Sequence, residues 1–104
     1  MNPFAVNETD APHLADILKG LGHPMRLRIV SLLCGSSLCV TELCDQLDAR
    51  QTAVSQHLAP LRMLGLVTVD RRGGQARYTL AEPKLKKLVN CLKSCTIGAK
   101  RSAR

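Results

Sequence analysis

The stretch Cys39-Val40-Thr41-Glu42-Leu43-Cys44-Asp45-Gln46-Leu47, then Asp48-Ala49-Arg50, then Gln51-Thr52-Ala53-Val54-Ser55-Gln56-His57-Leu58-Ala59-Pro60-Leu61-Arg62-Met63-Leu64, decides the fold. Thr41 has the chemistry of an N-cap, a hydroxyl able to accept an orphan backbone N–H, and acidic Glu42 follows at the positive end of the helix dipole. A short helix to Leu47, a turn at 48–50 and a second helix from Gln51 to Leu64 follow, with Val54, Leu58 and Leu61 on the buried face. Pro60 falls inside that second helix, removes one backbone bond and is expected to bend it. Gly65 suits the left-handed position just past a helix end. Two helices joined by a tight turn form a helix-turn-helix.

Working outward, Leu66–Asp70 alternates and is β-branched, Arg71-Arg72-Gly73-Gly74-Gln75 reads as a hairpin loop, and Ala76–Leu80 as the return strand. Upstream, Leu14, Ile17, Leu18 and Leu21 recur at helical spacing from Pro12, and Gly20 and Gly22 are expected to end that run. Pro24 opens a further helix to Cys34, with Leu27, Val30 and Leu33 expected inward and Arg26 and Arg28 outward. A last helix begins near Pro83 and carries Leu85, Leu88, Val89 and Leu92 on one stripe. The order gives a mainly α fold with a small β-hairpin wing: a winged helix-turn-helix. The divisions expected are a flexible segment at 1–10, this domain with its dimerisation helices at 11–96, and a basic flexible tail at 97–104.

The chain has 104 residues, enough for one core, and contains one Phe, one Tyr and no Trp, so aliphatic side chains must fill it. The net charge of +7 is unevenly placed. Residues 1–48 hold three basic and six acidic side chains, whereas residues 49–104 hold twelve basic and two acidic. That asymmetry directs a polyanion to the second half. The acidic start lacks the form of a signal peptide, and no apolar run reaches the length of about 20 residues that spans a bilayer, so a cytoplasmic location and no membrane partner are expected. Five cysteines in a reducing compartment argue against a stapled disulfide framework.

The recognition helix offers Gln51, Thr52, Ser55 and Gln56 to base edges in the major groove, with Arg50 at its start and Arg62 further along for phosphates. His57 joins the candidate DNA contacts, although packing beside the helix is its other reading. Arg71, Arg72 and Arg77 place cations on the wing for phosphates or the minor groove. No glycine loop for phosphates, no paired carboxylates and no nucleophile–base pair is present, so an enzyme is not expected.

Gly22-His23-Pro24 with Arg26-Leu27 and Ile29-Val30, Val40-Thr41-Glu42-Leu43, Gln51 with Ser55-Gln56-His57-Leu58, Leu61-Arg62, Gly65-Leu66-Val67, and Arg71-Arg72-Gly73 with Tyr78 together resemble the ArsR/SmtB family of metal- and thiol-responsive repressors. The resemblance spans roughly residues 12–92. It implies a homodimer through the first and last helices, bound to double-stranded palindromic operator DNA, with repression relieved by an inducer. The apolar stripe on the last helix agrees with a dimer, whose symmetry would set two recognition helices about one DNA turn apart.

Soft inducers such as As(III), Cd(II) or Pb(II) prefer thiolates. Arsenic-responsive members of the family carry Cys-Val-Cys-x-x-Cys before the recognition helix. Here Cys39 and Cys44 match and Thr41 replaces the middle cysteine. Cys44 near a helix N-terminus is expected to favour thiolate, its alternative being a small core residue. Cys91 and Cys95 form the first candidate metal site. At i, i+4 on one helix their β-carbons lie about 5–6 Å apart, suited to a shared metal and less suited to a disulfide. A third ligand is expected from a partner chain or from a first-helix residue such as His13. Cys34 extends the stripe of the second helix. The hard-metal members use carboxylates and histidines on the last helix, and none lies between Pro83 and Cys95. Redox or persulfide chemistry at the same thiols is the rival inducer, and a winged-helix protein-interaction module without DNA binding is the rival function.

Overall fold

A computed structural model describes residues 2–95, so the domain boundary expected at 96 and the tail at 97–104 lie outside the described residues. Residues 2–10 form turns with exposed side chains, closed by Asn7 Oδ1, which accepts the Asp10 N–H at 2.7 Å. Five helices follow: α1 (Ala11–Leu21), α2 (Pro24–Leu33), α3 (Val40–Leu47), α4 (Gln51–Met63) and α5 (Lys84–Lys93). They pack with three strands, β1 (Leu38–Cys39), β2 (Val67–Asp70) and β3 (Arg77–Leu80), in an antiparallel sheet of order β1-β3-β2. The mainly α, winged architecture is the one the sequence predicts. No helix of the described residues is long and apolar enough to cross a membrane.

The core is aliphatic. Ile29 and Val30 from α2, Leu43 from α3 and Val54, Leu58 and Leu61 from α4 are its most deeply buried side chains. Tyr78 on β3 closes it from the wing side. Burying such side chains contributes roughly 1.5–3 kcal/mol each, and this is what orients α4 with its polar face outward.

Several details depart from the sequence reading. Gly20 does not end α1: it lies buried inside the helix, and the Leu64 methyl sits where a Cβ would stand, so α1 approaches the end of α4 closely. Gly22 is the residue that caps α1. The stripe of α1 divides, with Leu21 buried and Ile17 half-buried while Leu14 and Leu18 face out. On α2, Leu27 is outward, and Ile29 takes the buried place beside Val30 and Leu33. Arg26 turns partly inward.

The cap of α3 is Cys39, not Thr41. Cys39 closes the two-residue strand β1, which pairs Leu38 with Tyr78 and Cys39 with Arg77, and Glu42 Oε1 accepts the Cys39 N–H at 2.9 Å. Two residues are too few to show alternation, so β1 is invisible to periodicity. Asp48, at φ 52°, turns the chain between α3 and α4. Pro60 stands in the last turn of α4 without ending it. The exit from α4 is a Schellman turn: Gly65, at φ 75°, donates its N–H to the Arg62 carbonyl, and Leu66 donates to the Leu61 carbonyl, both at 2.9 Å.

Candidate nucleic-acid interface

Helix α4 carries the candidate reading surface because three of its side chains, Val54, Leu58 and Leu61, are anchored against α2, α3 and β2. What remains outward is polar. Gln51, Thr52, Ser55 and Gln56 are all exposed, Arg50 caps the helix, and Arg62 is exposed near its end. These residues occupy successive turns of one helix, with amide and hydroxyl groups suited to base edges and guanidinium groups suited to phosphates.

On the wing the three arginines differ. Arg71 is exposed and, like Arg50 and Arg62, makes no ion pair among the described residues. Arg72 is gripped by Asp70 across the turn: Nη2 donates to Oδ2 at 2.7 Å, Nε lies within 3.1 Å of both oxygens, and the Arg72 N–H donates to Oδ1 at 2.9 Å. Those hydrogen bonds hold the Asp70 carboxyl down at about 2 and raise the Arg72 guanidinium. Arg77 is half-buried and bonded within the chain. Its Nη2 donates to the Ser37 carbonyl at 2.8 Å and lies 3.4 Å from Glu42 Oε1, and its Nε donates to Ser37 Oγ at 3.4 Å. Glu42 is lowered chiefly by the Cys39 backbone N–H, then by the Cys39 thiol, with a smaller contribution from Arg77. Arg77, expected from the sequence to contact DNA, thus ties β3 to the start of α3, a role the sequence did not signal. The Cys39-x-x-Glu42 spacing is the one local hint, because a Glu three residues after a cap closes a capping box.

His57 also turns away from the outward face. It is half-buried, its Nδ1 accepts from Arg26 Nε at 3.3 Å, and its ring lies 4.2 Å from that of His23. Its pKa is lowered by burial, then by the neighbouring His23 and Arg26 charges. His23 in turn caps α2, its Nδ1 accepting the Met25 N–H at 3.0 Å.

All five thiols are free. Cys39 is buried, Cys44 and Cys34 are half-buried against the core, and Cys91 and Cys95 are exposed. Cys91 lies in the last turn of α5, but the helix ends at Lys93 and Ser94 caps it, so Cys95 stands just beyond the helix instead of on it. Its N–H still bonds the Leu92 carbonyl at 3.2 Å, which keeps it near the helix end. Among the described residues, no three His, Cys, Asp or Glu side chains come together as a metal site, so neither cysteine pair nor His13 completes one within a single chain.

Known proteins share this arrangement. The family model described as "Bacterial regulatory protein, arsR family" matches residues 23–69, the span from the cap of α2 through the helix-turn-helix into β2. A biofilm growth-associated repressor of Agrobacterium fabrum is 39% identical over 90 residues, which cover 86% of this chain and 77% of that protein. The transcriptional activator HlyU of Vibrio cholerae is 37% identical over 76 residues, covering 73% of this chain and 70% of HlyU. The crystal structure of the transcriptional repressor BigR from Xylella fastidiosa superposes with a TM-score of 0.76 at 38% identity, over 85% of this chain and 92% of BigR. The outward polar face of α4, the wing and this likeness in sequence and structure together place the chain in the arsR family of bacterial regulatory proteins, as a winged-helix DNA-binding transcriptional regulator and not an enzyme.

Proposed function

We propose that the chain is a homodimeric repressor that holds palindromic operator DNA through α4 and the wing and releases it when a soft metal or metalloid such as As(III), Cd(II) or Pb(II) binds cysteine thiolates. The observation that carries the DNA half is the outward row of Gln51, Thr52, Ser55 and Gln56 flanked by Arg50, Arg62 and Arg71, which make no ion pair among the described residues. The direction of control, repression, follows the Agrobacterium fabrum relative, although HlyU is named an activator. Dimerisation through α1 and α5 is supported by the apolar side chains left outside the core there: Leu14, Leu18 and Leu92, with Leu27 of α2 beside them. They line two grooves flanking α5, and a second copy seated there would bury all four of these exposed leucines.

For the inducer, Cys91 and Cys95 are the accessible thiols and lie at the end of that same helix. A metal there takes its third ligand from the partner chain. The exposure of the two thiols, with no third donor beside them among the described residues, favours a second reading: oxidation of both thiols by an organic persulfide, which takes the two electrons and leaves a disulfide or polysulfide link that needs no further ligand. Cys39 and Cys44 remain the second candidate pair, and the burial of Cys39 at the cap of α3 makes it the less reachable.

The deciding experiment is a fluorescence-anisotropy titration of reduced protein onto its upstream promoter DNA. It is repeated with arsenite, cadmium and an organic persulfide, for wild type and for a Cys91→Ser/Cys95→Ser double variant. Release by arsenite or cadmium in the wild type alone supports the metal reading, and release by persulfide alone supports thiol chemistry. Absence of salt-sensitive, operator-specific binding would remove the proposal. Sedimentation equilibrium of Leu18→Glu, expected to be monomeric, tests the dimer surface.

A further inference from the structure

The recognition helix is held to the first two helices by a polar contact that its DNA-facing side does not need. His57, on α4, meets the α1–α2 junction through its ring, and two hydrogen bonds and one ring contact converge there. Arg26 of α2 donates Nε–H to His57 Nδ1 and Nη1–H to the Gly20 carbonyl of α1, both at 3.3 Å, so one guanidinium joins three helices. The His23 ring stacks at 4.2 Å with a tilt of 36°. The bond from Arg26 requires an unprotonated His57 Nδ1, because an imidazolium has no acceptor. Protonation would turn that nitrogen into a donor aimed at a guanidinium, with a second imidazole against its face.

We propose that Arg26 and His23 hold His57 as a neutral acceptor that positions α4 for DNA, and that acidification, by protonating His57, loosens the helix and releases the DNA. The proposal rests on the reading of α4 as the DNA-binding helix. His57 is a positioning residue in it and touches no base or phosphate.

The charged and titratable groups around His57 are few. His23 comes from the α1–α2 junction and Arg26 from α2. Asp16 and Lys19 of α1 line the cleft that Arg26 shares with Pro60 and Met63 of α4 and with Leu64, which caps that helix. Asp16 is the single carboxylate among them, and no salt bridge joins it to either histidine among the described residues. The environment is therefore weighted towards positive charge, which opposes a third cation. Burial acts in the same direction and is the largest cause of the lowered His57 pKa. The stability that neutral His57 contributes is complete above its ordinary value near 6.5 and is lost as pH falls through that value towards the lower, folded one.

The proposal makes a prediction opposite to that for a histidine on the DNA. A histidine facing phosphates gains charge on acidification and tightens binding. The clamp predicts weaker binding.

Operator affinity is measured by anisotropy at constant ionic strength from pH 7.5 to 5.5, for the full chain and for His57→Gln, which retains an acceptor and does not titrate. His23→Asn, which keeps a capping side chain for α2, serves as the second variant if the first fails to fold by circular dichroism. NMR titration of the histidine rings and of the α4 amides is run in parallel without DNA. Wild type is expected to weaken about tenfold across this range and His57→Gln by less than about threefold. His57 is expected to titrate below 6.5, with amide shifts along α4 that vanish in the variant, and higher in His23→Asn than in wild type. Parallel pH profiles, tighter wild-type binding at low pH, or a His57 that titrates at or above 6.5 without movement of α4 overturns the proposal. If neither protein binds DNA at pH 7.5, the DNA reading falls and the DNA-free spectra still decide whether the clamp holds α4.

Discussion

Replacing Arg71 and Arg77 separately by Gln tests whether the internal ion pairs on the wing determine which arginines serve DNA. Arg71 is exposed and makes no ion pair among the described residues, whereas the Arg77 guanidinium bonds the Ser37 carbonyl at 2.8 Å and lies 3.4 Å from Glu42 Oε1. Removing one phosphate-binding cation should lower the slope of log affinity against log salt by about 0.9, or about 1.8 if two wings of a dimer engage one operator. In the dimer case, between 50 and 200 mM salt, Arg71→Gln should then lose roughly tenfold less affinity than wild type does. Arg77→Gln should leave the slope unchanged. It should instead lower the melting temperature, because the Ser37 carbonyl and Glu42 lose the group that ties β3 to the start of α3. The assay is anisotropy at four or five salt concentrations, paired with thermal unfolding by circular dichroism. A flattened slope in Arg77→Gln with an unchanged melting temperature would refute the assignment, as would an Arg71→Gln slope equal to that of wild type.

Four further substitutions test the packing, the turns and the wing. Leu61→Ala deletes a fully buried side chain between α4 and its neighbours and should cost about 3 kcal/mol, a fall in melting temperature of about 12 °C or more; a shift under about 4 °C would mean that the site collapses around the gap. Gly65→Ala places a Cβ in open space at φ 75° and should cost about 1 kcal/mol from backbone strain alone. Gly35→Ala, at an ordinary φ and with ordinary van der Waals room, should be close to neutral, and a denaturant titration of both glycine variants measures the difference. Asp70→Asn should release Arg72 and tighten operator binding at pH 7. Because the folded Asp70 carboxyl is depressed to about 2 from 3.8, its contribution to stability is present above 3.8 and is lost as pH falls towards 2, so acid unfolding of the variant should lack that step.

The candidate DNA surface was largely legible from local pattern. The apolar spacing of Val54, Leu58 and Leu61 fixes which side of α4 is buried, and the polar face of Gln51, Thr52, Ser55 and Gln56 must then be the outward one. The candidate sensory cysteines were less so. The i, i+4 spacing of Cys91 and Cys95 holds only while the helix lasts, and α5 stops at Lys93. The cap of α3 was displaced by two residues because a strand too short to be periodic, β1, claims Cys39 for the sheet.

The amino-acid sequence by itself determined the order of the elements, the Gly65 exit from α4, the wing and the basic second half. These depend on repeats of 2 and 3.6 residues, on single-residue turn chemistry and on a count of charges, all of which act within a few positions of the chain. Only the tertiary structure decided which polar groups are committed internally. Arg77 meets Ser37 across 40 positions and Arg26 meets His57 across 31, and such pairs form because the core brings β3 to α3 and α4 to α2. Tertiary packing likewise sent Leu14, Leu18 and Leu27 outward, since a helix wedged against two neighbours buries a sector that its own periodicity does not choose.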